Sequence, residues 1–278
     1  MHIDGGCTLD SVEESKIENV PKVKTRTVSG RDYFEEIYQT DLELEAQWLR
    51  YGAVEKVNSI EILFNRHAIT PITLLEMGCG TGAVIAECQR RGLGAEFTAI
   101  DYSREAIGYL KSHSQGIHCI EADITDPNFK LDRCFDVVVL SHVLEHLEEP
   151  LMFLQSLMNK VRFRYLVAEV PLEDLLISWI KNFFRDWTRN ISGHVHFFTE
   201  TTFQRLLSSA SLDIRDHRRY VPIFSPEVID FVCRKDGLSR IRTMLKKITG
   251  CYLTRFFAPM WARIYYAHYA VLCVPPNE

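Results

Sequence analysis

The sequence has no Cys-x-x-Cys spacing among its eight cysteines, no internal repeat and no low-complexity tract. Cysteines scattered over apolar stretches, such as Cys88, Cys119, Cys134 and Cys273, are expected to be small core residues in a reducing compartment. The first 30 residues lack an apolar core and a cleavage pattern, so no secretory signal is expected and the cytoplasm is the expected compartment. An uninterrupted apolar run able to span a bilayer is also missing, because Arg255, Pro259, Arg263 and His268 break the most apolar C-terminal stretch. Nor is there an excess of positive charge. With 32 Lys and Arg against 37 Asp and Glu, a net charge of -5 and a pI near 6.1, bulk nucleic-acid binding is disfavoured. The 278 residues are enough for one large α/β domain with additions, without a second full domain.

The most informative segment is residues 74–82, LLEMGCGTG, followed by AVIAECQRR. An apolar run, an acid and three glycines in five positions read as a strand, a tight turn and a helix. Gly78, Gly80 and Gly82 allow backbone torsions that a side chain forbids, so the main chain can press against a ligand. The helix behind them offers unpaired N–H groups and the positive end of its dipole to a carboxylate. Glu76 can face an ammonium group, and Cys79 lies within the turn as a packing residue. Ligands of open α/β sheets sit at this edge. An amino-acid end joined to a nucleoside suits such a loop, which points to S-adenosylmethionine.

The loop alone also satisfies the looser dinucleotide pattern G-x-G-x-x-A, with Asp101 placed for a ribose in either case. A nicotinamide enzyme is therefore the competing reading at this point. The following strands discriminate. AEFTAIDYS supplies Asp101 for the ribose diol and Tyr102 as a ring to lie on adenine; IHCIEADITD supplies Asp123 for the adenine amine and Ile124 to line the ring. With FDVVVLSHVLEHL after them, ending its strand at Ser141, these segments closely resemble the class I S-adenosylmethionine-dependent methyltransferases. The ubiquinone-pathway and sugar methyltransferases of the small-molecule branch are the nearest look-alikes. The resemblance covers residues 71–171 and, less strongly, 193–220.

The resemblance implies a Rossmann-like α/β fold: a seven-stranded, mostly parallel sheet with an antiparallel last strand, an N-terminal helical extension and helical insertions. Strands are expected at 72–77, 95–101, 117–121, 135–140, 164–170, 212–220 and 265–274. The expected organisation is a tail over 1–30, a helical cap over 31–70 and the methyltransferase domain over 71–278, with insertions at about 172–193 and 221–263. The cofactor set it implies is Glu76, Gly78, Cys79, Gly80, Gly82, Asp101, Tyr102, Asp123, Ile124 and Ser141.

Methyl transfer is mainly a matter of aligning acceptor and methyl, and a base is needed only for a weakly acidic acceptor. Four histidines compete for that role: His142 and His146 flanking Glu145, and His194 and His196 in GHVHFF. His146 and His194 are the catalytic candidates, with His142 and Glu145 as positioning residues. Each histidine has a plainer reading in which it only shapes the loop. H142-V-L-E145-H146 also spells the H-x-x-E-H pattern of inverted zinc peptidases, which needs both histidines on one continuous helix. Here the pattern follows directly on a strand, and Pro150 is placed as a helix start just beyond it, so no metal is expected.

The acceptor is expected to be a small molecule or a glycan, methylated at oxygen. A binding protein that keeps the cofactor fold without turnover is the alternative. Tyr33 and Phe34 fit either packing or a fold over the cofactor. Trp179, Phe183, Phe184 and Trp187, interleaved with Lys181, Arg185 and Arg189, form a candidate acceptor lid; the same ingredients serve nucleic-acid stacking, which the acidic whole disfavours. Residues 234–263 hold eight Lys or Arg and one acid, Asp236. That segment reads either as an insertion packed on the sheet edge or as an amphipathic segment in peripheral contact with a membrane.

Overall fold

The computed structural model describes residues 30–172, 193–221, 225–235, 239–252, 256–257 and 267–276. The expected tail over 1–30, apart from Gly30, the aromatic and basic segment from Trp179 to Arg189, and Asp236, Arg255 and Arg263 lie outside the described residues. Helices α1 (Gly30–Thr40) and α2 (Leu42–Arg66) precede a sheet of seven strands: β1 (Thr73–Met77), β2 (Glu96–Asp101), β3 (Ile117–Glu121), β4 (Cys134–Ser141), β5 (Arg162–Leu172), β6 (Asp213–Tyr220) and β7 (Ala267–Val274). The order across the sheet is β3-β2-β1-β4-β5-β7-β6. The first five strands in sequence run parallel, and β7 lies antiparallel to both β5 and β6.

Alternation along the strands sends successive side chains to opposite faces, and each face has its own cover. Leu74, Phe97, Val137, Val139, Val167 and Leu272 meet Val57, Ile60, Leu63 and Phe64 of α2, together with α3 (Ala83–Arg90) and α4 (Arg104–His113). Leu75, Met77, Ile100, Val138, Leu140 and Val170 meet Phe153, Leu154 and Leu157 of α5 (Pro150–Lys160) and Phe203 and Leu207 of α6 (Glu200–Ser209). The helical spacing of Val57, Ile60, Leu63 and Phe64 thus comes from packing on the sheet, which is why α2 runs for 25 residues.

Local signals fix the helix starts. Pro150 opens α5, where its missing N–H costs nothing. Thr199 caps α6 by accepting from the Thr202 N–H at 3.0 Å, and Thr202 Oγ1 accepts from the Thr199 N–H at 2.8 Å. A reciprocal cap of this kind stabilises a helix by about 1 kcal/mol. The expected core role of cysteine holds for Cys88 and Cys273, which are buried, and not for Cys134, which is exposed. Cys134 is the first residue of β4, ahead of the covered part of the strand.

Between β6 and β7 the chain forms a satellite. Helix α7 (Pro226–Lys235) is followed by α8 (Arg240–Lys247), which continues into a π-helical turn, Ile248–Tyr252. Ile229, Cys233 and Cys251 make a small apolar cluster of their own, and Lys247 donates to Asp230 at 2.7 Å. Phe231 meets Tyr51 of α2 edge to face, with ring centroids 5.6 Å apart.

Candidate active site

A cavity of about 1200 Å³ opens at the carboxyl edge of the parallel strands. That exceeds the ~300–1,000 Å³ usual for a single small-molecule pocket, so it has room for a cofactor and an acceptor together. Gly78, Gly80 and Gly82 all have positive φ, at 73°, 52° and 77°. A β-carbon on Gly78 would come within 2.7 Å of Val143, and one on Gly80 within 2.6 Å of the Tyr38 hydroxyl. Gly78 and Gly80 therefore give the cavity a floor of bare main chain, in torsions glycine accepts without strain; Gly82, where a β-carbon would run into the Leu110 side chain, is not among the lining residues.

Carboxylates stand around that floor. Glu76 accepts from the Ile85 N–H in the first turn of α3 at 2.9 Å. Burial pushes its pKa up to about 8, against the pull of that N–H and of Lys56. A buried acid that holds its proton in this way is poised to ionise when a cation arrives beside it. Asp101, the last residue of β2, accepts from the N–H groups of Gly80 (2.7 Å) and Ser103 (2.9 Å). Burial raises its pKa and those N–H groups hold it down. Cys79 is buried and its thiol is pushed well above the usual range by burial, in keeping with the packing role. Tyr102, Asp123, Ile124 and Ser141 all line the cavity.

Helix α1 crosses this cleft as a strap. Arg31 pairs with Asp123 at 2.6 Å and lies over the Tyr102 ring, 4.6 Å from its centroid, while the Tyr102 hydroxyl donates to the Arg31 carbonyl at 3.0 Å. The guanidinium thus engages two of the three residues expected to hold adenine, Asp123 and Tyr102. At the other end, Phe34 meets the His146 ring edge to face at 4.9 Å. A β-carbon on Gly30 would come within 2.7 Å of the His146 carbonyl oxygen, and one on Gly193 within 2.9 Å of the Tyr33 ring. Tyr33 and Phe34 both line the cavity.

The histidines gather beyond Ser141. His142 has φ 59° and Leu144–His146 form a single 3-10 turn, so no helix carries His142 and His146 together and the zinc-peptidase geometry is absent from this motif. Glu145 is fully buried between them. Its Oε1 is 3.2 Å from His142 Nδ1 and 3.9 Å from His146 Nε2. Burial pushes Glu145 up, yet His142, His146 and His194 together bring it down to about 2. Its backbone carbonyl accepts from the N–H groups of Val195 (2.8 Å) and His196 (3.0 Å), which pins GHVHFF to the turn. His196 donates from Nε2 to the Glu148 carbonyl at 3.0 Å. His194 is buried in the cavity wall, its ring 5.0 Å from that of His146.

The roles separate on protonation. Burial and Lys56 lower the pKa of His142, but Glu145 and Glu169 more than reverse this and hold it above the ordinary value. His142 sits between two carboxylates that favour its protonated form, its Nδ1 3.2 Å from Glu145 Oε1 and its Nε2 3.3 Å from Glu169 Oε1. Burial takes His146 the other way, to about 4, against Glu145. His146 Nδ1 lies 3.1 Å from the Gly193 carbonyl. A carbonyl can only accept, so Nδ1 carries the hydrogen and Nε2 keeps its lone pair.

Five residues here escaped the sequence reading. Glu169 of β5 is held below the ordinary carboxylate range, its burial outweighed by hydrogen bonds from His142 and His268. Tyr220 donates to Glu169 at 2.9 Å, and His268 Nδ1 lies 3.2 Å from His142 Nε2. Lys56 of α2 faces Glu169, Glu145 and Glu76, and Arg31 is the strap residue already described. An acid inside the apolar run LVAEVPL and a histidine inside YAHYAVLCV were the available signals; Lys56 gave none. Two sets of donor atoms, His142–Glu169–His268 and Glu145–His146–His194, each lie within 4.8 Å of one another, a spacing a divalent cation could use. Within the first set Glu169 Oε1 lies 3.3 Å from His142 Nε2 and 3.4 Å from His268 Nδ1, so the three groups also satisfy one another.

Comparison with known proteins agrees with this geometry. The methyltransferase-domain family matches residues 48–217, more than half of the chain. The mitochondrial ubiquinone biosynthesis O-methyltransferase of Schizosaccharomyces pombe (strain 972 / ATCC 24843) is 36% identical over 109 residues, 37% of this chain and 38% of that one. The ubiquinone biosynthesis O-methyltransferase of Rickettsia prowazekii (strain Madrid E) is 22% identical over 191 residues, covering 60% and 71%. The chain therefore spans little more than a third of the first relative's length and about seven-tenths of the second's. Among solved structures, the plantazolicin methyltransferase BpumL in complex with SAH superposes with a TM-score of 0.55 at 19% identity, covering 89% of this chain and 99% of that one. With that fold, the glycine floor and the family match together, the chain belongs to the methyltransferase-domain family, as a class I S-adenosylmethionine-dependent methyltransferase.

Proposed function

We propose that the chain methylates a hydroxyl oxygen of a small-molecule acceptor, with His146 taking the proton. The observation that carries this reading is the state of His146: neutral, held by Gly193 through Nδ1, and set in the cavity wall with an ionised Glu145 3.9 Å from Nε2. S-adenosylmethionine supplies an electrophilic methyl on a sulfonium. As the S–CH₃ bond breaks and the O–CH₃ bond forms, the hydroxyl proton passes to Nε2, and the carboxylate of Glu145 steadies the imidazolium. Glycine floor and carboxylates hold the donor, while the strap of α1 limits water.

A base of low basicity favours an acidic hydroxyl. A phenol, with a pKa near 10, matches His146 better than a sugar alcohol does, and the ubiquinone biosynthesis O-methyltransferases among the relatives agree in kind. The test is cofactor consumption with panels of phenolic, glycosidic, carboxylate and amine acceptors, with the product located by mass spectrometry. O-methylated phenols, lost on His146→Ala, are the expected outcome. Methylation at nitrogen or a carboxylate, indifferent to His146→Ala, would overturn the reading; tight cofactor binding with no turnover on any panel would favour the non-catalytic alternative.

A further inference from the structure

One helix is amphipathic the wrong way round. Ile241, Met244, Leu245, Ile248 and Tyr252 recur at i, i+3, i+4, i+7 and i+11, the spacing of a single helical stripe. On a helix docked to its own protein that stripe would be covered. Here it faces out: Ile241 is 75% exposed, Met244 64% and Leu245 56%, and α8 buries no residue at all. Of the ten large apolar residues exposed among the described residues, seven fall between Ile241 and Phe257. Phe256, at 79%, is the most exposed of them. Single exposed apolar side chains need no explanation, but a contiguous patch marks a surface that meets something else.

Charge says what kind of partner. Residues 239–252 carry Arg240, Arg242, Lys246 and Lys247 and no acid, in a chain whose net charge is -5. Arg240, Arg242 and Lys246 are exposed beside the stripe, while Lys247 turns inward to Asp230. We propose that α8 and the turn after it, with Phe256 and Phe257, form a docking surface for an anionic lipid bilayer, lying in the plane of the interface with the stripe among the acyl chains. Apolar area and attraction to anionic headgroups are the two terms that bind such helices. No helix of the described residues is long and apolar enough to cross a membrane, so the contact is peripheral.

The surface is not remote from the cavity. Phe231 of α7 packs on Tyr51 of α2, one turn of helix that also carries Trp48, Leu49 and Gly52 of the cavity wall. Docking through α8 would bring that wall close to the bilayer, whichever atom of the acceptor is methylated.

The full chain is tested by sedimentation with vesicles of phosphatidylcholine alone and of phosphatidylcholine mixed with phosphatidylglycerol, at low and at physiological salt. Salt-sensitive pelleting with the anionic vesicles is expected. It should fall about thirty-fold in the Arg242→Glu, Lys246→Glu double variant, at roughly 1 kcal/mol for each cation near an anionic surface. It should also be lost in the Ile241→Glu, Met244→Glu, Leu245→Glu triple variant. These side chains are exposed, so the thermal transition and cofactor affinity of both variants should match the wild type. As a readout that needs no variant, amide exchange over 240–252 in the wild type should slow when anionic vesicles are added. No pelleting, equal pelleting with neutral vesicles, or pelleting that both variants retain would each overturn the proposal. So would a concentration-dependent dimer that the triple variant abolishes, which would assign the stripe to a second copy of the chain.

Discussion

The two ends of the cavity are built on opposite plans. At the end proposed for the cofactor the main chain lines the cavity: Gly78 and Gly80, both with positive φ, form the floor, and β1, β2 and the turn after β3 contribute one carboxylate each, Glu76, Asp101 and Asp123. At the acceptor end the side chains do it. Lys56 of α2, His142 and Glu145 after β4, Glu169 of β5, Tyr220 of β6 and His268 of β7 meet in a buried set of charges. A ligand of fixed shape can be met by backbone. Proton transfer needs neighbouring groups with separated pKa values, and Glu145 at about 2 lies beside His146 at about 4. The difference teaches that damage at one end should appear as lost affinity and damage at the other as lost rate.

The largest effect should come from the acceptor end. His146→Ala is expected to lower kcat by about 10²- to 10⁴-fold, the usual contribution of a general base, with cofactor affinity unchanged by calorimetry. A loss confined to KM would make His146 a positioning residue, and the same pair of measurements on His194→Ala decides between the two. The comparison breaks if His146→Ala weakens cofactor binding as much as it slows turnover. At the cofactor end, Asp101→Ala removes a buried carboxylate that two backbone N–H groups rely on. Losing a charged acceptor costs about 1.5–3 kcal/mol, so the cofactor Kd should rise roughly ten- to hundred-fold. A folded Asp101→Ala protein with wild-type affinity would falsify the assignment.

The same contrast explains what the sequence made legible. The strands could be read from their apolar runs, and the residues proposed for the cofactor from contiguous segments at the ends of the first strands, where glycine torsions and a preceding apolar run announce the geometry: LLEMGCGTG needs no distant partner to be understood. Glu169 and His268 are different. They come together only because β7 inserts between β5 and β6, placing His268 opposite Pro171 and beside Tyr220. No local pattern encodes that adjacency. The H-x-x-E-H spelling could be discounted from the strand before it, but the division of labour between His142 and His146 depends on Glu169 and Gly193, far away in the chain. The exposure of Ile241, Met244 and Leu245 was legible only as one of two readings of that segment, since the same i, i+3, i+4 spacing ordinarily marks a covered face.

A smaller effect would sharpen the account of the cofactor end. Glu76 holds its proton up to about pH 8 in the free protein, and the ammonium of the bound cofactor should displace it. At pH 7 the free acid is then about nine-tenths protonated, so binding should release roughly 0.9 proton, read from calorimetry in buffers of different ionisation enthalpy. The sign follows: the free state binds more protons than the bound state, so affinity should rise as pH rises toward 8. Glu76→Gln should release none. Proton uptake on binding, or release that survives Glu76→Gln, would remove Glu76 from the ammonium site.

The smallest effect concerns the strap that joins the two ends. Arg31 engages Asp123 and Tyr102, two of the residues expected to take adenine, and half of its side chain is exposed. If adenine is to reach Asp123, the 2.6 Å ion pair must open, and an exposed pair of this kind contributes about 0.2–1 kcal/mol. Arg31→Ala should therefore tighten the cofactor by at most about five-fold. The gain should be absent for a ligand without adenine, such as methionine with its carboxylate and ammonium alone. Weaker binding of the cofactor by Arg31→Ala would mean the reverse: the guanidinium stays, lies over the adenine, and closes the cofactor end with a side chain after all.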